Sequence, residues 1–403
     1  MSVIRRLKIK HFKSIWDDVI DLGRLNVFIG TNGAGKSNIL EAIAAVSASV
    51  DGGIDYTKLH QRGARLSAPD IFRSSFKNKD RNQTFSIAVD MDDVHYNMSI
   101  RSKDGFPYLT ETVKDKHNNS IAGRGQAGAK IGGLKLPNLD KEKSLVPYIT
   151  ATSQTSEVLG LIELSKYAIY SPSTPILRGA SEDSSKKNPL GLYGGRLAEA
   201  LSDITKNLKD HPEHRKELLR FFRLFDWFKS FGSKQGLDPI LKANDQLFQN
   251  DIVVQYTDSY MRTDFNDLSA YDVSEGALYV LFVLVLLTHT KTPNIFALDN
   301  IDNALNPGLV RNLMNHIVEI LNKDATKQIF MTTHNPMTLD AIDLFNEEHR
   351  LFIVERMSDG QTKTRRISPP EGMTKEQWED EYYGMKLSDI WLSGAIGGLP
   401  KGF

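Results

Sequence analysis

The 403-residue chain has no cysteine. That absence removes disulfides, thiolate nucleophiles and cysteine-based zinc sites together. Net charge is missing as well, because 50 Lys plus Arg balance 50 Asp plus Glu. No whole-chain basic field for nucleic acid exists, and binding of that kind would need a local patch. Long apolar runs are also absent. The longest, ALYVLFVLVLL at 277–287, falls well short of the roughly 20 residues that span a bilayer. It reads as a helix buried on all sides. The opening MSVIRRLKIKHFKSI has no apolar h-region and no small-residue cleavage site, so we expect no signal peptide and a cytoplasmic protein. Ligand spacing among the histidines is confined to His211 and His214, where a solvated helix face is favoured over a metal site. There are no internal repeats and no long heptad run.

What is present is alternation. Residues 3–12 alternate apolar and basic, as in a half-exposed strand pair, and RLNVFIG at 24–30 reads as a buried strand followed by a Gly-rich turn and a helix. Strand patterns follow at 83–91 and 94–101, then a Gly- and Asn-rich segment at 118–136 expected to be a mobile loop. From about 155 to 230 the pattern is mainly helical, including a helix over 213–231. It is interrupted at 171–191 by a Pro/Ser/Lys stretch expected to be an exposed loop. Beyond 268 helices (276–289, 308–322, 336–344) alternate with strands (294–298, 328–332, 350–355). Such alternation implies a parallel sheet covered by helices. The expected organisation is an α/β head in two halves, 1–135 and 266–403, with a mainly helical lobe at 136–265.

GTNGAGKS, Gly30 to Ser37, fits the phosphate-loop pattern G-x-x-x-x-G-K-[ST] without a gap, between a buried strand and a helix. Its glycines permit a tight turn whose backbone N–H groups wrap phosphates, and the helix N-terminus points its positive end at them. Asn32, Gly33, Ala34, Gly35, Lys36, Ser37 and Asn38 are the expected nucleotide contacts. Lys36 would reach the β- and γ-phosphates, and Ser37 would sit on Mg²⁺. ATP and Mg²⁺ are the expected cofactors. In NIFALDNIDNALNPG (294–308) an apolar strand runs straight into Asp299, the expected acidic partner of the metal. DVSEGALYVLF places Ser274 and Gly276 at the start of the buried helix, and FMTTHNP ends a strand in His334.

Phosphate loop, Ser-x-Gly helix start, acid strand and histidine-ending strand, in that order, resemble the ABC-type ATPase heads of SMC proteins, RecF and the OLD-type ATPases. IRRLKIKHFKSI resembles their first hairpin, and DNIDNALN resembles the SMC pattern D-E-[VI]-D-x-A-L-D. The resemblance covers roughly 1–100 and 265–360. It implies a P-loop NTPase with an ABC-type head, in which Ser274 and Gly276 contact the γ-phosphate held by a second copy and ATP joins two heads into a homodimer or a higher assembly. It further implies that His334 senses the γ-phosphate, that Asn303–Asn306 crosses to the partner, and that Asp299, Asn300 and His334 form the catalytic set. Gln83 is the candidate for a third contact near the metal, with a surface glutamine weighed equally.

Two positions depart from the family, both from carboxylate to amide. Asn300 stands where a glutamate polarises the attacking water, and Asn306 where an aspartate is usual. An amide accepts no proton at neutral pH, so slow hydrolysis with intact binding is expected. Asp302 is either a substitute base or a structural loop residue. The acids Glu371, Glu376, Glu379, Asp380 and Glu381 read as a solvated face, so no nuclease domain is expected after His334. Arg215, Lys216, Arg220 and Arg223 read as a solvated face before a phosphate track. The segment 387–403, with Trp391, packs either on the head or on a partner. The leading expectation is the ATPase of an anti-phage defence module controlling a separately encoded effector nuclease. The alternative is a RecF-like repair ATPase that clamps DNA. No membrane partner is expected.

Overall fold

The computed structural model describes residues 2–185, 187–206, 217–219, 225–236, 252–303 and 305–398. His211, His214, Arg215, Lys216, Arg220 and Arg223 lie outside these described residues. The chain divides into two compact units, one of Met1–Ile169, Pro293–Ile301 and Leu321–Phe403, the other of Tyr170–Thr292 and Asp302–Ile320. Residues 136–169, expected in the middle lobe, therefore belong to the first unit.

The first unit contains an eight-stranded antiparallel sheet of β1 (Ile4–Phe12), β2 (Ile15–Asp21), β4 (Phe85–Met91), β5 (Val94–Ile100), β6 (Tyr108–Asp115), β7 (Ser120–Gly125), β8 (Gly128–Ile131) and β9 (Leu134–Leu136), in the order β2-β1-β4-β5-β6-β7-β8-β9. Burial alternates strictly along β4, the pattern of a sheet with one face in the core. The segment 118–136 is thus ordered in β7–β9 and is not a loop. Gly123 and Gly125 lie within β7, while Gly128, Gly132 and Gly133 take positive φ at the ends of β8 and before β9.

A second sheet follows the order β10-β14-β15-β3-β16-β17, built from β3 (Leu25–Ile29), β10 (Ile169–Tyr170), β14 (Ile295–Leu298), β15 (Gln328–Thr333), β16 (His349–Arg356) and β17 (Thr362–Ile367). β3 lies between β15 and β16 and is parallel to both, while β17 returns antiparallel to β16. β3, β14 and β15 are buried at every residue, which matches their mainly apolar sequences, and the buried amides of Asn26 and Gln328 are hydrogen-bonded, to the Gly23 carbonyl at 2.8 Å and the Ile4 carbonyl at 2.7 Å. Helix α1 (Lys36–Val50) is buried along nearly its whole length, and its Ala-rich sequence allows close approach to the core of Phe28, Phe330 and Phe352. The tail packs on this unit: Ile390 and Trp391 are buried, Ser388 N–H donates to Asp340 at 3.1 Å, and Arg365 donates to the Ile396 carbonyl at 2.6 Å. Helix Lys375–Glu381 buries none of its residues, so its acids form a solvated face.

In the second unit, α2 (Glu275–Thr288) is apolar all round and buried from Ala277 to Thr288. A three-stranded antiparallel sheet joins β11 (Phe228–Gln235), β12 (Ile252–Asp258) and β13 (Asp267–Ser269). Residues 228–231, expected in the helix 213–231, are therefore strand, and 213–216 and 220–224 of that helix lie outside the described residues. Aromatic residues at 225, 227, 228 and 231 suit either period, and pairing with the β-branched β12 decides for strand. The stretch 171–191 is not an exposed loop. Asp183 is buried and accepts from the N–H groups of Ser185, Tyr193 and Gly195, folding the stretch onto Leu190 and Leu192. A 3₁₀ turn, Pro336–Ala341, replaces the helix expected at 336–344.

Candidate functional site

β3 is apolar to its end, so the chain must leave the sheet at Gly30. There φ is 154°, and a Cβ would lie 2.1 Å from the Val354 carbonyl oxygen, so glycine alone lets the loop pass β16 this closely. Asn32 and Gly33 are exposed at the tip, with Ala34 buried beneath. Gly35, at φ 109°, begins α1 with no side-chain cap, and the first turn carries no acid. The positive end of the helix at this turn favours an anion. Lys36 is buried, and its Nζ donates to the carbonyls of Gly30 at 2.8 Å and Thr31 at 3.1 Å.

Asp299 emerges where β14 ends. Leu298 pairs with Met331 in parallel register, which sets Asp299 beside Thr332. The Ser37 hydroxyl donates to Asp299 Oδ2 at 3.2 Å. From the other side the Thr332 hydroxyl donates to Asp299 Oδ1 at 2.5 Å and accepts the Asn300 N–H at 2.8 Å. A hydroxyl and a carboxylate oxygen set this close fit Mg²⁺, a hard cation that needs only one or two protein oxygens beside phosphate and water. Ser37 and Asp299 would hold the ion, which when bound screens phosphate charge.

Two family profiles match parts of the sequence. The AAA ATPase domain profile matches residues 3–188, and the AAA domain profile whose description names the AbiEii toxin and a Type IV TA system matches 168–340. None of the curated proteins compared matches the sequence. Among solved structures, an SmcHead bound to the C-winged helix domain of ScpA superposes with TM-score 0.53 at 15% identity, over 92% of this chain and 99% of that one. The SMC head domain from Thermotoga maritima gives TM-score 0.45 at 12% identity, over 91% and 99% of the two chains. The fold is that of an SMC head domain. No helix among the described residues is long and apolar enough to cross a membrane.

The remaining expected site residues fall in several places on this head. Ser274, in the second unit, caps α2 by accepting the Ala277 N–H at 3.4 Å. Ser274 is exposed and Gly276 half-buried, so both stand on a solvent-facing helix tip. His334 is exposed just past the end of β15. Asn300 is exposed, with a positive φ of 57° that asparagine adopts more readily than most residues. Asn306 accepts the Leu309 N–H at 2.9 Å, capping the helix Pro307–Lys323, a structural task its amide performs well. Gln83 is exposed two residues ahead of β4 and makes no hydrogen bond to Ser37 or Asp299.

Sequence reasoning missed a cationic cleft of about 360 Å³ beside Asn38, lined by Lys13, Ser14, Arg65, Arg73, Arg81 and Arg356 among others. Glu41, one turn beyond Ser37 in α1, anchors it. Its carboxylate meets Lys13 Nζ at 2.5 Å and Arg65 Nε at 2.7 Å. Burial pushes the Glu41 carboxyl up, but Arg65 and Lys13 outweigh it and hold it below the usual carboxylate range. Burial in turn lowers the Lys13 ammonium. The available signal was a lone carboxylate in an otherwise Ala/Ile-rich helix. Thr332 was also missed, since only the strand register places it beside Asp299.

Thr332 allows a direct test. Thr332→Val keeps the shape but removes the hydroxyl that accepts the Asn300 N–H and donates to Asp299 Oδ1. We expect denaturant melts to show a loss of about 1–3 kcal/mol. ATP turnover should also need more Mg²⁺ than in the wild type. A variant unchanged in both would show that Thr332 does not hold Asp299.

Proposed function

We propose that this head is an ATP-binding, slowly hydrolysing switch. Two copies close head to tail on two nucleotides, and the closed homodimer controls a separately encoded effector nuclease in a cytoplasmic anti-phage defence system. The observation that carries this reading is the Ser37–Asp299 pair at 3.2 Å, followed directly by an amide, Asn300, where a general base belongs. Phosphate and metal would be held by Lys36, Ser37, Asp299 and the loop N–H groups, none of which needs a base. The cationic cleft at Lys13, Ser14 and Arg65 would take the remainder of the nucleotide. The Ser274–Gly276 tip, exposed and led by a hydroxyl, has the chemistry to cap the γ-phosphate of a second copy. His334 would sense that phosphate. The description naming AbiEii supports a defence setting. A head bound to a domain of another protein is what the SmcHead–ScpA structure contains.

Sedimentation of the purified protein tests this. The wild type should double its mass with ATP and Mg²⁺ but not with ADP. Ser274→Arg should still bind ATP yet stay single. A wild type indifferent to nucleotide, or a Ser274→Arg chain that doubles normally, sinks the reading.

One observation favours duplex DNA as a further ligand. Lys130 and Lys135 sit directly opposite each other on β8 and β9, both exposed, an arrangement that costs stability unless an anion covers it. DNA added to the same assay should then stimulate turnover in a salt-dependent way.

A further inference from the structure

Thr362 lies at the start of β17, more than 300 residues after the phosphate loop, and is fully buried. Its hydroxyl donates to the Ala34 carbonyl at 2.6 Å, inside the loop itself. It also lies 2.6 Å from the Ser14 hydroxyl, and Ser14 Oγ accepts from Asn38 Nδ2 at 2.6 Å. Counting protons fixes the direction. A threonine has one hydroxyl hydrogen, and a carbonyl oxygen can only accept, so that hydrogen belongs to Ala34. In the Ser14–Thr362 contact Ser14 must therefore donate. Asn38 Oδ1 in turn accepts from Arg65 Nη2 at 2.7 Å. The result is one polarised chain, Arg65 to Asn38 to Ser14 to Thr362 to the Ala34 carbonyl, in which each bond strengthens the next.

The end of this chain matters because a trans peptide is planar and its C=O and N–H point opposite ways. Holding the Ala34 oxygen down toward β17 turns the Gly35 N–H to the other side of the peptide. The approach is close. A Cβ on Gly35 would lie 2.2 Å from Thr362 Oγ1 and 2.9 Å from Ser14 Oγ, so the last glycine of the motif is required by its neighbour as well as by its φ. Beside it, Arg356 of β16 donates to the Gly33 carbonyl at 3.3 Å. The hairpin β16–β17 thus grips two successive carbonyls of the loop.

We propose that Thr362 is a positioning residue for nucleotide binding: its hydroxyl, fed by Ser14 and Asn38, sets the Ala34–Gly35 peptide so that the loop's N–H groups are aimed at phosphate before nucleotide arrives. This rests on the nucleotide reading above and adds a residue that no phosphate-loop motif contains. Because the loop grips phosphate alike in ground and transition states, the effect falls on affinity more than on the chemical step.

The test uses the full chain and titrates ATP with Mg²⁺ into the wild type, Thr362→Val, Thr362→Ser and Ser14→Ala, measuring Kd by calorimetry and kcat and KM by phosphate release. Thr362→Val should weaken Kd and KM roughly tenfold or more, with kcat changed far less. Thr362→Ser should return to near wild type, and Ser14→Ala, which cuts the chain one link earlier, should fall between. Should Thr362→Val not fold, the Thr362→Ser and Ser14→Ala pair decides alone. Wild-type affinity in Ser14→Ala and Thr362→Val would overturn the proposal. So would a loss that serine fails to restore, which would assign the effect to the methyl group. A wild type that binds no ATP would overturn the nucleotide reading itself, a different outcome from a wild type that binds and a Thr362→Val variant that binds equally well.

Discussion

Asn300→Glu should hydrolyse ATP about 10²–10⁴-fold faster than the wild type, the span that general-base help usually supplies. Position 300 directly follows Asp299, is exposed at the strand end, and is anchored by its N–H on Thr332. A carboxylate there would accept the proton of an attacking water, which an amide does not. One effect opposes the gain. At φ 57° most L-residues pay for the left-handed region, by about 1–2 kcal/mol, whereas asparagine visits it routinely. The rate span corresponds to about 3–5 kcal/mol. The conformational cost therefore dents the gain without cancelling it. Asn300→Asp supplies a carboxylate with asparagine's tolerance of positive φ and separates the two effects. The measurement is single-turnover hydrolysis, with the lifetime of the ATP-bound dimer followed alongside. If both variants turn over at the wild-type rate, position 300 is not the water-activating position.

Glu41→Ala should be the most destabilising single change near the site, by about 3–5 kcal/mol in denaturant melts, because it strands a buried ammonium. The Lys13 side chain is 9% exposed and loses its ion-pair partner, while Arg65, at 64%, can turn to water. The loss therefore comes mainly from Lys13. The same trio sets an acid limb. The Glu41 carboxyl titrates lower folded than unfolded. Its contribution is present above the ordinary glutamate range, near pH 4.3, and is lost as pH falls through the depressed folded value. Glu41→Gln should flatten that limb. An alanine variant as stable as the wild type would mean that Lys13 finds another partner.

The residues legible in the sequence are those whose meaning is local. Lys36 and Ser37 sit in one unbroken motif, and Asp299 ends an apolar run that only a buried strand explains. Thr332, Glu41 and Thr362 were opaque because each acts on a segment distant in the chain, and only strand register or helix packing makes the contact. Glycines misled at 118–136, where they turn a β ribbon and do not free a loop. Aromatic spacing misled near Phe228, where the helical and extended periods coincide until β12 supplies a partner. Asn306 looked like a lost carboxylate, and the structure gives it a helix to cap.

The grip of β17 on the phosphate loop also has a consequence in time. The loop closes by residue 37, but the threonine beneath it is residue 362 and Asp299 lies far along the chain as well. During synthesis the early half emerges with a loop still lacking its support, and domains settle only as their pieces leave the ribosome. On the reading proposed above, a nascent chain would hold nucleotide poorly until residues 299 and 362 have both emerged.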